Sequence, residues 1–246
     1  MLLVVVAVVL CAAPVRAQAT LAPFDAAYFA GRPAEALAGY SELLAHDSTN
    51  YDALWHASRA ALALGMLGER QDMDTPMYLR AEALARAAVR QHPDRVEGHY
   101  WLAAALGRRA LHAPIKPAVS LATATADEAN RTLAIDSLHA GAHDVLGKLN
   151  SEVCKLPRAI RFIASRLLGM SVAGTMSWAL AEQHLRRAIE LDSTIIIFRV
   201  DLAEMYLRTD RRPEANRVLH DVLAMPRIHP FDEKLQRDAQ RMLDAK

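Results

Sequence analysis

A helical stripe that stops at a sharp corner recurs four times along this chain. The copies read Leu43-Leu44-Ala45-His46-Asp47-Ser48, Ala88-Val89-Arg90-Gln91-His92-Pro93, Thr132-Leu133-Ala134-Ile135-Asp136-Ser137 and Ala188-Ile189-Glu190-Leu191-Asp192-Ser193. A fresh helical pattern follows each corner, opening at Asp52-Ala53-Leu54-Trp55, Val96-Glu97-Gly98-His99, Ala140-Gly141-Ala142-His143 and Ile196-Ile197-Phe198-Arg199. One such hairpin cannot bury its own apolar face, so copies must stack on one another. The expected fold is therefore all-α: an α-solenoid of stacked antiparallel helical hairpins, tetratricopeptide-like, with inserted helices.

The corners Ser48, Pro93, Ser137 and Ser193 are 45, 44 and 56 residues apart. The next corner falls near Pro226-Arg227, close to the 34-residue tetratricopeptide period. The second helices align as Ala36/Tyr40/Leu43, Ala81/Ala85/Ala88, Ala181/Leu185/Ala188 and Ala215/Leu219/Val222, each at i, i+4, i+7. Alanine at the first position of each set lets two helices approach closely, and the larger partners fill the groove between hairpins. The spacing predicts a short helix near 24–30, then helices over 33–46, 51–67, 76–91, 95–111, 117–135, 139–151, 155–168, 176–191, 195–208, 212–225 and 230–244. Loops are expected at 72–76, 113–117 and 169–175. Pro33 and Pro213 suit helix starts, where the missing N–H has no partner to lose. No strand alternation, Gly-rich phosphate loop or low-complexity linker interrupts the pattern, so residues 18–246 read as a single repeat domain.

Residues 1–17 differ in kind. Met1 to Ala13 is an apolar run, Pro14 breaks it, and Val15-Arg16-Ala17 offers small residues at the positions a signal peptidase reads. The run is too short to cross a bilayer, which takes roughly 20 residues. A signal peptide cut near Ala17 is expected, making the protein exported, periplasmic or extracellular. Of 29 basic and 28 acidic residues, only Arg16 lies in the leader, so the mature chain carries no net charge. That balance argues against nucleic acid as a partner. Of the two cysteines, Cys11 leaves with the leader and Cys154 stays, so no intrachain disulfide is expected and the core must suffice without one. Cys154 reads as a buried, inert thiol.

Motifs that carry catalysis are missing. His139 and His143 are four apart, yet Ala140, Gly141 and Ala142 stand where a zinc helix would carry its glutamate. Helix-start and packing roles are expected for these histidines. Asp144 and Glu152, eight apart, form an acidic spot without a recognisable acid–base pairing. No serine sits in a Gly-x-Ser-x-Gly turn. The reading is a chain without enzymatic activity, with no cofactor and no metal.

In a stacked array the first helix of each hairpin lines the concave groove. Counting from the corners, the groove set is Trp55, Arg59, Tyr100, Arg108, Asp144, Lys148, Glu204 and Arg208. Trp, Tyr and Arg are the types that anchor interfaces, and Arg or Lys can clamp a carboxylate. Trp55 and Tyr100 are expected as apolar anchors, with Arg59, Arg108, Lys148 and Arg208 as polar clamps, for a protein or peptide partner. Trp101 and Leu102 are expected in the core. The inserted stretch 155–168 reads as a basic amphipathic helix that sets Arg158, Arg161 and Arg166 against Ile160, Phe162, Ile163 and Leu167. It suits packing across the solenoid, or else docking to a partner or peripheral contact with an anionic membrane surface, where the protein would be a structural component.

Three stretches carry a family resemblance: Arg95-Val96-Glu97-Gly98-His99-Tyr100-Trp101-Leu102-Ala103; His143-Asp144-Val145-Leu146-Gly147-Lys148, followed by the long insertion; and Leu180-Ala181-Glu182-Gln183-His184-Leu185-Arg186-Arg187-Ala188-Ile189-Glu190-Leu191, feeding Glu204-Met205-Tyr206-Leu207 and Glu214-Ala215. With these the chain resembles the regulator of microtubule dynamics family over roughly residues 75–245. Characterised members are eukaryotic and associate with microtubules or organelle contacts. The Ala/Arg-rich make-up and export signal read as bacterial, which makes tubulin an unsuitable partner. The resemblance implies a repeat-built protein-interaction domain and brings no catalytic residue with it.

Overall fold

The computed structural model describes residues 13–68, 71–157, 160–161 and 175–245. Among the described residues there are eleven helices and no strand: α1 (Ala13–Phe29), α2 (Pro33–His46), α3 (Tyr51–Leu67), α4 (Gln71–Gln91), α5 (Val96–His112), α6 (Ile115–Ile135), α7 (Ala140–Cys154), α8 (Trp178–Leu191), α9 (Ile196–Arg208), α10 (Arg212–Ala224) and α11 (Asp232–Asp244). They pack as successive antiparallel hairpins, α1/α2 through α9/α10, and α11 caps the last one. The first helices also touch along the stack, α3 on α5, α5 on α7 and α7 on α9, which forms the inner layer of an α-solenoid.

The repeated corners have a local cause. The carboxylates of Asp47, Asp136 and Asp192 accept the N–H of Thr49, Leu138 and Thr194 at 3.0, 3.0 and 2.9 Å. An aspartate that binds the backbone two residues on imitates a turn and ends the helix before it. The helix that follows is capped by Asn50 after the first corner and by His139 after the third. The His139 ring nitrogen Nδ1 accepts the N–H of Ala142 at 3.1 Å. Gly31, with a φ of +78°, makes the left-handed turn between α1 and α2 that a side chain would strain.

The second-helix stripe is the core. Ala36, Tyr40, Ala81, Ala85, Ala88, Ala181, Leu185, Ala188, Ala215, Leu219 and Val222 are completely inaccessible to solvent, and Leu43 is partly buried. In α6 the same positions are Thr125, Ala129 and Thr132, equally buried. The two threonine hydroxyls donate to the carbonyls of Leu121 and Glu128 one turn back, so the polar atoms cost little there.

Four boundaries depart from the sequence reading. The short helix expected near 24–30 begins at Ala13 and carries Pro23 inside it, since the alanine-rich run ahead of Phe24 favours helix. The loop expected at 72–76 is helical, with Pro76 inside α4; near a helix start a proline removes one backbone bond and the turns beyond it continue. The loop expected at 113–117 is shorter, since α6 already begins at Ile115 and Pro117 falls in its first turn. The helix expected from Lys155 does not start there. α7 runs on to Cys154 and Lys155–Pro157 is a turn, because the residue before a proline is pushed out of helical geometry; Ile160 and Arg161 are helical again. The rest of 155–168 lies outside the described residues, as does the loop expected at 169–174.

The solenoid also closes on itself. Lys234 of α11 donates to the carbonyls of Met66 and Gly68 at the end of α3, at 2.8 and 2.5 Å, across 168 and 166 residues of chain. The ammonium satisfies helix-terminal carbonyls and meets the negative end of the α3 dipole. Beside it the His229 ring lies 6.2 Å from that of Tyr28 and 5.6 Å from that of Phe231, and Phe231 packs on the N-terminal core. The C-terminal helix thus meets the end of α3 across the concave face.

Two outcomes follow from this packing. A Cβ on Gly147 would sit 2.6 Å from Leu185 Cγ and 3.0 Å from its backbone nitrogen, where α7 meets α8. Gly147→Ala should therefore destabilise by about 1–3 kcal/mol, although alanine usually improves a helix by ~1 kcal/mol; chemical denaturation with an unchanged or raised midpoint would refute the close approach. Burial, first of all causes, holds His56, His139, His184 and His229 below the ordinary histidine value of 6.5. The folded chain resists protons that the unfolded chain takes up, so this stability is present above 6.5 and is lost as pH falls below it. Melting temperature should drop between about pH 7.5 and 5, and His229→Phe should reduce the drop.

Candidate functional site

The inner wall encloses a cavity of about 770 Å³, within the range of a small-ligand or peptide-end pocket. Residues from α1, α3, α5, α6, α7 and α9 line it, together with His229 and Phe231 at the closing seam. Most of the wall is apolar, running through Leu62, Trp101, Ile115, Val119, Leu149 and Phe198. Leu111, Ile115 and Leu156 leave 40, 66 and 38% of their surface exposed at its edge.

Along one side the charges gather. Asp144, Lys148 and Glu152 are one helical turn apart on α7, so all three face the same way. Across from them α9 brings Asp201, Glu204 and Arg208. Lys148 Nζ donates to Asp201 at 2.8 Å and to Glu204 at 2.6 Å; Arg208 reaches Glu152 at 2.8 Å and Glu204 at 3.4 Å, and donates to the Ser151 hydroxyl at 3.2 Å. Lys155 also pairs with Glu152. Burial works against the Lys148 ammonium, but Asp201 and Glu204 beside it prevail and its pKa is raised. Burial likewise opposes the Glu152 carboxylate, and the cations Lys155 and Arg208 override it, leaving its pKa low. The lattice ties the fourth hairpin to the fifth.

Among the groups on this wall outside the lattice are Arg59, Arg161, Asp192, Asp144 and Arg108. Asp144 is 7% exposed and its Oδ1 has no hydrogen-bond partner. Burial, and then the neighbouring Asp201 charge, push its carboxyl well above the usual carboxylate range. Arg108, on α5, makes no hydrogen bond and no ion pair with any described residue, though its charge acts on Asp144, Asp201 and Tyr100.

The groove residues read from sequence fall into three places. Arg59, Tyr100, Arg108, Asp144 and Lys148 line the cavity. Arg59 is committed to structure: it is 8% exposed, pairs with Asp25 at 2.5 Å and stacks 4.1 Å over the Tyr28 ring, which pins α1 to α3. Tyr100 lies under Gly141, whose missing Cβ leaves room for its ring. Glu204 and Arg208 sit behind the wall, in the ion lattice. Trp55 is away from the cavity, stacked on His56 at 3.4 Å and packed against Tyr51 and Leu54. Leu102 is core, while Trp101 is half-buried on the cavity wall. The sequence reading misses Asp201; its place three residues before Glu204, on the same helical face, is the available signal.

Of the four residues singled out in the inserted stretch, Arg161 is among the described ones: Nη1 lies 3.9 Å from the Cys154 sulfur and the side chain reaches the cavity wall. Arg158, Phe162 and Arg166 lie outside the described residues. Cys154 is buried, and burial pushes its thiol up. His143 meets His184, Nδ1 to Nδ1, at 3.0 Å. No group of three metal-ligating side chains occurs among the described residues, and no described helix is long and apolar enough to cross a membrane.

Comparison with known proteins agrees with this architecture. A thermophilic TPR protein of Thermus thermophilus superposes with a TM-score of 0.65 at 21% identity, over 92% of this chain and 98% of that one. A monomeric mutant of IFIT1, solved with Gppp-AAAA, superposes with a TM-score of 0.50 at 17% identity, over 85% and 49%. At such identities the likeness is one of fold alone. Regulator of microtubule dynamics protein 3 of Bos taurus is 23% identical over 203 residues, which is 81% of this chain but 42% of the bovine protein. The family described as regulator of microtubule dynamics protein 1-3 matches residues 21–246, from α1 to the closing helix, and the chain belongs to that family.

Proposed function

We propose that this protein is a non-catalytic interaction scaffold that takes a peptide or protein segment into the cavity of its helical ring. Tetratricopeptide-like folds commonly serve as protein-interaction scaffolds, and the family reading agrees with that use. One observation carries the finer claim: on the cavity wall, beside the ion lattice, the Arg108 guanidinium holds no ion pair with a described residue. An arginine at the rim of an apolar pocket anchors interfaces because it combines charge, planarity and reach. The ion lattice behind it supplies rigidity, so the wall needs little reorganisation on binding.

We also propose export, on the strength of residues 1–17. The α1 contacts through Leu21, Phe24, Asp25 and Tyr28 lie beyond a cut at Ala17 and would stay with the mature chain. Edman sequencing of secreted material should begin at Gln18, and a chain that starts at Met1 would end this part of the reading.

Arg108→Gln removes the charge, breaks no ion pair with a described residue and sets no further acid beside Asp144 and Asp201, so it should lower the melting temperature by no more than about 4 °C. Affinity capture from an extract of the native host, quantified by mass spectrometry, should then lose the partners that the unaltered chain retains. Undiminished capture would remove the cavity from the interaction.

A further inference from the structure

One contact between helices belongs neither to the ion lattice nor to the cavity wall. His143 on α7 and His184 on α8 turn their Nδ1 atoms toward each other at 3.0 Å, with the two rings tilted by 36°. Both side chains are half-buried. Burial and the neighbouring His143 hold the His184 ring below the ordinary histidine value, and no carboxylate offsets them, so a neutral imidazole is favoured there. The surroundings are stiff. α7 and α8 meet where Gly147 lies against Leu185, and Ala181, Leu185 and Ala188 have no exposed surface. His143 stands one turn before Gly147 and His184 directly before Leu185, so both rings are carried on rigid helices beside that joint. The sequence reading weighs His143 with His139, four residues back. The His139 Nδ1 is spent on the helix cap, where it accepts the Ala142 N–H, and the tertiary partner is His184, 41 residues on. We propose that His143 and His184 form a two-nitrogen chelate for a divalent transition-metal ion of the Zn²⁺ class, bridging α7 and α8, with water in the remaining positions. The site lies apart from the cavity and does not rest on the segment-binding reading.

The ligand chemistry selects the ion. Imidazole suits Zn²⁺, Ni²⁺ and Cu²⁺, whereas Mg²⁺ and Ca²⁺ take oxygen ligands. A zinc ion sits roughly 2.0–2.1 Å from each histidine nitrogen, which puts a tetrahedral pair of nitrogens about 3.3 Å apart. The separation of 3.0 Å is within a small ring turn of that distance. The other nitrogen of His143, Nε2, faces the Ser137 carbonyl at 3.4 Å. A carbonyl at that end keeps the proton on Nε2 and leaves the Nδ1 lone pair free, which is the outer contact that metal-bound histidines usually make. In the metal-free chain His184 Nδ1–H donates to this lone pair. Binding transfers the His184 proton to its own Nε2, where the half-buried ring meets water, so the protein neither gains nor loses a charge. Two protein nitrogens leave the other coordination positions open, as in zinc sites that keep exchangeable water.

The full chain, stripped of metal with a chelator and exchanged into fresh buffer, is titrated with Zn²⁺ and in parallel with Mg²⁺, by calorimetry and by melting temperature. With free Zn²⁺ at about 100 times its dissociation constant the melting temperature should rise by about 5–10 °C, while Mg²⁺ leaves it unchanged. Cu²⁺ should bind more tightly than Zn²⁺. His143→Ala and His184→Ala should each weaken Zn²⁺ binding by at least about ten-fold, since losing a ligand costs no less than losing an outer contact. His46→Ala, at an exposed helix end, should keep both the affinity and the rise. His184→Gln retains a donor toward His143 and should keep the metal-free melting temperature within about 4 °C while losing the rise, which separates loss of the site from loss of the fold. The paramagnetic resonance spectrum of the native chain with Cu²⁺ should show coupling to two imidazole nitrogens, a readout that needs no variant. A native chain that Zn²⁺ does not stabilise, a rise that survives in both single variants, or coupling to one nitrogen alone would overturn the chelate and leave the pair as an N–H···N bond between two helices.

Discussion

Every hairpin in this chain depends on helices that approach until an alanine or glycine meets its neighbour. Ala36, Ala81, Ala129, Ala181 and Ala215 sit at those contacts with no exposed surface, and Gly141 and Gly147 leave room for the Tyr100 ring and the Leu185 side chain. Dispersion is short-ranged, so a helix pair held further apart would lose contact along its whole length. The small residues therefore set the spacing, and the spacing sets the curvature of the stack.

That curvature has a consequence at the two ends. After five hairpins the chain has turned far enough for Lys234 to cap the carbonyl end of α3 and for His229 and Phe231 to meet Tyr28. Closure converts a trough into a walled cavity with restricted contact with water. Charges inside it are poorly screened, which is why Asp144 resists ionisation and why Lys148 holds its proton so firmly between Asp201 and Glu204. The ion lattice and the unpaired Arg108 thus belong to one electrostatic system, in which fully paired members stiffen the wall and the unpaired ones are available to a guest.

Much of the fold is legible in the residues, because repetition is a local property. The aspartate corners, the i, i+4, i+7 stripes and the 34-residue step from Ala181 to Ala215 depend on contacts within one or two hairpins. The errors lie where a proline can be read two ways. Pro76 suggests the start of a helix that already begins at Gln71, and Pro157 suggests the inside of a helix that it delays. The site is legible in part. Arg108, Asp144 and Lys148 follow from counting residues after each corner. Trp55, reached by the same count, lies outside the cavity although Arg59, one turn further along α3, lines it, because its ring is taken up by His56, Tyr51 and Leu54 at the start of the helix.

Residue order alone dictates a stack of helical hairpins, where most of the described helices begin and end, and which stripe is buried, because capping, periodicity and side-chain volume act over a few turns. Assembly of the whole chain settles the remainder: that the stack closes, that Lys148 is enclosed by acids from α9 while Arg108 is left without a partner, and that Arg59 belongs to the α1–α3 joint. These outcomes depend on groups 34 to 168 residues apart in the chain, brought together by the accumulated turn of successive hairpins. No local pattern encodes that sum.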